Sequence, residues 1–471
     1  MSNEVFSESL AFPQMKRRAV SARSFRVKIP PSNSTTFVQE QTIQVDLPGN
    51  LAGQYYNFNQ MYLKFRVQLT GGAGNLDRCG AMGFIKRLQI STAGAQLCDI
   101  NNWNVLATAM MDTDCSCEYK AGYGNVLLGT IGDSLRGENL PVYAAGPPVV
   151  GSRVFCVPIV LNPLAMTTPH RLIPAFSLSS IQMRFTLDSI ASSLQGAAAV
   201  TAINFSEVEL VTMMTELSPQ AQAQIDMATG RRYNILANSF MNATATKAAN
   251  DSTLTANLGF SVSSLERIIC IHRPQATIAA AAAYSLGNRA KAGLTQYQYL
   301  INSESYPARP VIVSTKGAEV LAETLIADHG LVDFKKSSSF NNGFVANGAL
   351  NVGVGSSALS GVAPQIEKSD CFNLHFGAGT QAGAAVATGG NATASDIGTF
   401  VCATEFENSL SDGKSATIYS GISTIASVVQ WVANYDTTVL NNAAVNLDFF
   451  AQYSVLLSLD MGGQGVWSVS V

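Results

Sequence analysis

Two stretches of this chain alternate strictly between apolar and polar residues, and this period of two limits the fold more than any other feature. In YLKFRVQL (62–69), Leu63, Phe65, Val67 and Leu69 fall on one side and Lys64, Arg66 and Gln68 on the other. In SIQMRFTLD (180–188), Ile181, Met183, Phe185 and Leu187 oppose Gln182, Arg184, Thr186 and Asp188. Successive side chains of a strand point to opposite faces, so each stretch is a strand with one dry face and one wet face.

Further strands are predicted at FIKRLQI (84–90) and INFSEVELVTMM (203–214), then at LERIICIHR (265–273), CFNLHF (371–376), TFVCATEF (399–406), VVQWVANYD (428–436), FFAQYSVLLSLD (449–460) and GVWSVSV (465–471). Segment 99–113, DINNWNVLATAMMDT, is the main helix candidate of the first half, with Asp99 or Asn101 as its cap. Glycine- and alanine-rich stretches at 341–364 and 377–398 are too polar for core and are expected to project as loops from one end of a β-framework. Between the two β-rich halves lies LSPQAQAQIDMATGRRY (217–233). It reads as one short helix, with Ser218 as N-cap, Pro219 in the first turn and Gly230 as left-handed C-cap.

A chain of 471 residues suits two domains of about 200 residues each. Regular strands, few helices and long excursions favour β-sandwiches over a parallel α/β sheet. The expected fold is all-β: two consecutive eight-stranded jelly rolls joined by a short helix. The predicted divisions are an extended basic arm (1–35), a first jelly roll (36–216), the linker helix (217–231) and a second jelly roll (232–471). AINF (202–205) and AVNL (444–447) give a faint internal echo at the closing strands.

Charged residues make up 13% of the chain against about 25% in an average protein. Either neighbours cover much of the surface, or Ser, Thr, Asn and Gln carpet it. Net charge is −3, which excludes bulk electrostatic binding of nucleic acid. Residues 1–215 carry 16 Lys and Arg against 14 Asp and Glu, and residues 216–471 carry 13 against 18. The first-half surplus comes from Lys16, Arg17, Arg18, Arg23, Arg26 and Lys28, in a stretch without an acid between Glu8 and Glu40. These six are the candidate contacts of an arm lying on an acidic neighbour, nucleic acid or anionic lipid; the plain alternative is a solvated tail.

Eight scattered cysteines, mostly in apolar runs such as VFCVPIV and RIICIH, read as buried thiols of a reducing compartment. No secretory signal is recognised, and no apolar run reaches membrane-spanning length. His170, His272, His329 and His375 show no metal-pair spacing, and His375 falls on the polar side of its predicted strand. The pair Cys115 and Cys117 lacks a second pair for zinc, and Asp112 and Asp114 read as acids at a helix end rather than cation ligands. GKS (413–415) has Asn408 where a phosphate loop needs glycine, and GVGSSA (353–358) lacks a following helix. The expectation is no catalytic residue, no cofactor and no metal.

PLAMTTPHRLIPAFSLSSIQMRFTLDS, followed by VELVTMMTELSP and the bridging helix, resembles the middle of double jelly-roll major capsid proteins. Such proteins occur in polinton-like viruses and virophages and, more distantly, as the adenovirus hexon. NQMYLKFRVQL with GFIKRLQISTAGAQLCDINNWNVLATAMMD resembles their first-domain strands and helix, and FFAQYSVLLSLDMGGQGVWSVSV their closing strands. The resemblance covers about a third of the chain and implies a non-enzymatic virion protein of a DNA virus, assembled inside the host cell. It implies homotrimers with a pseudo-hexagonal footprint that tile an icosahedral shell. It also implies partners: copies of itself, penton and minor capsid proteins, and genome or inner membrane at the N-terminal arm. On this reading, deleting residues 1–28 leaves trimers folded and impairs shell assembly. The alternatives are a carbohydrate-binding β-sandwich protein, disfavoured because the long loops carry one aromatic, Phe344, and a self-assembling cell-surface protein, disfavoured without a signal peptide.

Overall fold

In a computed structural model of the chain, described for residues 22–131, 136–145, 151–167, 170–177, 180–278, 285–287, 289, 292–313, 318–328, 400–406, 408–410, 418–437, 444–461 and 466–470, the alternating stretches are strands. Ile181, Met183, Phe185 and Leu187 point into the core from one strand, and Leu63, Phe65, Val67 and Leu69 from another. The predictions at 341–364, 353–358, 371–376, 377–398 and 413–415, with His329 and His375, lie outside the described residues, as do Lys16, Arg17 and Arg18.

The first half contributes β1 (Ala22–Ile29), β2 (Thr42–Leu47), β3 (Gln54–Thr70), β4 (Ile85–Ser91), β5 (Gln96–Ile100), β6 (Ser152–Pro158), β7 (Ile181–Leu187) and β8 (Ala202–Leu217). One sheet pairs them in the order β1-β8-β3-β6 and the other in the order β2-β7-β4-β5, all antiparallel. The second half contributes β9 (Arg232–Lys247), β10 (Thr253–Leu258), β11 (Leu265–Pro274), β12 (Leu294–Ile301), β13 (Glu304–Ile312), β14 (Cys402–Glu405), β15 (Val429–Tyr435) and β16 (Val445–Asp460). Its sheets run β9-β16-β11-β14 and β10-β15-β12-β13. The second order is the first shifted by eight, so the chain folds as a double jelly roll. AINF opens β8, and the Val445–Leu447 part of AVNL opens β16, the equivalent strand.

Three expectations are corrected. Arg23, Arg26 and Lys28 are not in an extended arm: they lie on β1, which pairs with β8 from Ala22↔Leu217 to Ile29↔Leu210. The first roll therefore begins before residue 36, and deleting residues 1–28 would remove a sheet strand. The first-half helix is α1, Trp103–Asp114, and its N-cap residue is Asn102, which makes no side-chain cap bond. Asp99 instead lies on β5, where its carboxylate accepts from Arg87 on the adjacent β4 at 2.7 and 2.5 Å. An ion pair across the ladder holds the acid in the sheet.

Residues Trp103 to Thr113 of α1 are all buried, including Asn104, Thr108 and Asp112, whose polar groups find partners inside the fold. The linker helix α2, Pro219–Thr229, is the opposite and buries no residue. It is held by its ends: Ser218 Oγ accepts from the Ala221 amide at 3.3 Å, Pro219 occupies the first turn, and Gly230 sits at φ +60°. Tyr55 donates to Gln222 at 2.8 Å and ties the helix to β3. A third helix, α3 (Ala318–Asp328), lies between β13 and β14 and had no sequence-based assignment.

Candidate functional site

Without a catalytic constellation to build on, the candidate site is the contact between the two rolls, where buried polar groups concentrate. Asp77, Arg78, Asp112 and Lys120 come from the first roll and Leu286, Gly287 and Arg289 from the second. The Asp77 carboxylate accepts from the Leu286 and Gly287 amides, each at 2.8 Å, and from the Arg78 amide at 2.7 Å. Gly287 is required by this approach, because a Cβ there would lie 2.6 Å from Asp77 Oδ1. Burial pushes the Asp77 carboxyl up to about 6 despite these donors.

Asp112 behaves in the opposite sense. It lies on α1 and is ringed by Arg78 at 2.9 Å, Lys120 at 3.1 Å and Arg289 from the second roll. Burial would raise its carboxyl, but the three cations outweigh that and hold it well below the usual carboxylate range. The expectation that Asp112 is an ordinary helix-end acid is therefore corrected: it is a buried anchor for one roll's helix and the other roll's arginine. Its three basic neighbours also argue against a cation-chelating role.

The seam continues along the molecule. Asn102 Nδ2 donates to Asp448 at 2.8 Å, and Arg273 pairs with the same carboxylate at 2.7 Å. The Asn238 amide donates to the Met166 carbonyl at 3.0 Å beside an isolated bridge between Thr167 and Ala237. The rings of Phe176 and Tyr233 meet edge-on at 5.1 Å. Desolvation offsets much of the attraction in such buried pairs, while loss of one partner leaves the other charge uncompensated. The arrangement thus holds two jelly rolls at one relative orientation.

On the outside, Arg23 pairs with Glu216 and Lys28 with Glu209, both at 3.6 Å, and Arg26 lies on the same strand. Ser218 and Pro219 follow directly on the end of β8 and Gly230 closes the linker helix before β9, so the strand carrying these cations, paired from Ala22↔Leu217, starts beside the linker. Exposed apolar side chains gather near β6: Tyr123, Val126 and Leu127 on a short helix whose carbonyls receive Arg153, and Val142 and Tyr143 beside the end of β3. Cys270, His272 and Cys402 also come together within the second roll, although nothing in their sequence spacing suggested it. Among the described residues, no helix is long and apolar enough to cross a membrane.

The sequence matches no known family profile and no curated protein. In structure, the chain is similar to the subunit in a quasi-atomic description of the PBCV-1 virus capsid, with a TM-score of 0.59 and 11% identity over 98% of this chain and 99% of that one. It is similar to the mavirus major capsid protein, with a TM-score of 0.55 and 11% identity over 100% of this chain and 96% of that one. It is also similar to the Faustovirus major capsid protein, with a TM-score of 0.52 and 10% identity over 95% and 92%. At such identities the shared property is the double jelly-roll fold.

Proposed function

We propose that this chain is a viral major capsid protein, a structural subunit without catalytic activity that assembles with copies of itself into a virion shell. We further propose that it forms homotrimeric capsomers. Three chains of two rolls present six rolls, so a threefold assembly fills a position of sixfold shape, and these capsomers tile an icosahedral lattice. The observation that carries the reading is the doubling: two rolls of one strand order in a single chain, similar end to end to capsid subunits. A subunit that tiles must keep its rolls at a fixed angle, and the buried seam through Asp77, Asp112 and Asp448 meets that need.

Supporting features lie on the surface. The 13% charge content suits flanks covered by neighbours, since obligate interfaces are depleted in charge. The apolar group around Tyr123, Val126 and Tyr143 is of the kind that association covers. Lys16, Arg17 and Arg18 are proposed to reach minor capsid or penton proteins, the genome or an inner membrane. Mass photometry of the purified protein tests the capsomer: the expected species is three times the 49.8 kDa chain, or shells built from it. A stable monomer at micromolar concentration overturns it. Removing residues 1–21, which spares β1, is expected to leave capsomers and to impair shells; normal particles would remove the role of the segment.

A further inference from the structure

We propose that the core of the second jelly roll contains a metal site, formed by Cys270, His272 and Cys402, that takes a soft divalent cation of the zinc type. Cys270 and His272 are two residues apart on β11 and so share one face of the strand. Cys402 is the direct cross-strand partner of Cys270 on β14. His272 meets Trp431 and Tyr435 of the opposite sheet at 6.3 Å between ring centres, so the shared face is the one turned into the sandwich. The two thiol sulfurs and one imidazole nitrogen lie within 4.8 Å of one another. All three side chains are buried, at 0, 0 and 1% exposure.

The donor set decides the ion. Thiolate and imidazole favour zinc and other soft metals over magnesium or calcium, which take oxygen ligands. Charge then selects among soft ions. Two thiolates, one neutral imidazole and one divalent cation sum to zero, whereas a monovalent ion would leave a net negative charge among Phe400, Trp431 and Tyr435. Binding releases the two thiol protons to solvent and forms two metal–sulfur bonds and one metal–nitrogen bond. It gives up the weak bond that Cys402 Sγ donates to the Cys270 carbonyl at 3.7 Å. Ligands about 2.0–2.3 Å from a tetrahedral ion sit about 3.3–3.8 Å apart, so side-chain movements of roughly 1 Å close the site. Three protein donors leave a fourth position on the ion. A metal here would cross-link β11 to β14, the outer strand of its sheet path, without any contact at the surface.

The test uses the untagged full-length protein purified from cells grown with added zinc and dialysed without chelator. Elemental analysis is expected to find about one zinc per chain. Replacement by cobalt(II) is expected to produce a thiolate-to-cobalt charge-transfer band in the near ultraviolet. Cys402→Ala and His272→Ala are expected to lose the metal, while Cys98→Ala, which removes a buried thiol of the first roll, keeps it. Folded wild-type protein that retains no zinc and gives no cobalt band overturns the proposal, and so does a band that persists in Cys402→Ala. The wild-type measurements decide on their own if a variant fails to fold.

Discussion

The two jelly rolls share a strand order but not the chemistry of their cores. In the first, Phe65, Phe84, Phe155 and Phe205 form a nest of rings with centres 5.3 to 6.4 Å apart and no polar atom among them. In the second, Trp431 stacks on Tyr297 at 4.6 Å and meets Tyr299 and Phe449 edge-on, with His272 and two cysteines close by. Identical topology over such different interiors shows what specifies the fold. Alternation and register place each strand; the interior needs only matching volume in the right layer.

The severest challenge to that comparison is to empty each core in turn. Phe65→Ala and Trp431→Ala are each expected to cost about 3–5 kcal/mol, since both side chains are fully buried. Urea unfolding of the unassembled protein measures the loss. Similar costs would support interchangeable interiors, while a much smaller cost at Trp431 would show that the polar core is loosely packed. At the seam, Asp112→Ala removes the carboxylate that Arg78, Lys120 and Arg289 share and is expected to cost about 3–5 kcal/mol.

The two seam aspartates give opposite pH dependences. Asp77 titrates at about 6 in the folded chain against 3.8 ordinarily. Between those values the folded state holds a proton that the unfolded state has lost, so this group's contribution to stability falls as pH rises from about 4 to about 6. The total is on the order of 3 kcal/mol, and Asp77→Asn is expected to flatten the slope. Asp112 lies well below 3.8, so its contribution is complete above that value and is lost as pH falls through the acid range. Thermal midpoints of the wild type and Asp77→Asn across pH 4 to 7 isolate the Asp77 contribution, and extending the wild-type series below pH 4 reaches that of Asp112.

Local signals in the sequence reached the strands and the linker but not the seam. The dry face of β7 could be read from Ile181, Met183, Phe185 and Leu187 because strand period is a short-range property. The helix start was misplaced because Asp99 has the chemistry of a cap, and its partner Arg87 is visible only once β4 and β5 pair. Asp77 meets Gly287 across 210 positions and Asp112 meets Arg289 across 177, distances at which sequence carries no pairing signal. Cys270 and Cys402, 132 positions apart, are joined only by sheet register.

The smallest predicted effect concerns β1, the strand that read as a tail. Its partner in the comparison is β9, the opening strand of the second roll, which pairs with β16 along its full sixteen residues. β1 has eight residues, most of them exposed, and lies at the end of its sheet order beside β8. Charged side chains on such an edge discourage pairing with stray strands, and they also make the segment look unstructured. The Arg23–Glu216 pair is 75 and 42% exposed, so its attraction is screened by solvent. Arg23→Ala is therefore expected to change stability by less than about 1 kcal/mol, and added salt should erase even that. Breaking the ladder is different in kind. Proline at Val27 would remove a donor and force the backbone of a strand paired opposite Thr212, with an expected cost well above that of the charge. If Arg23→Ala were as damaging as Val27→Pro, β1 would be held by its charges, and the equivalence of the two opening strands would fail.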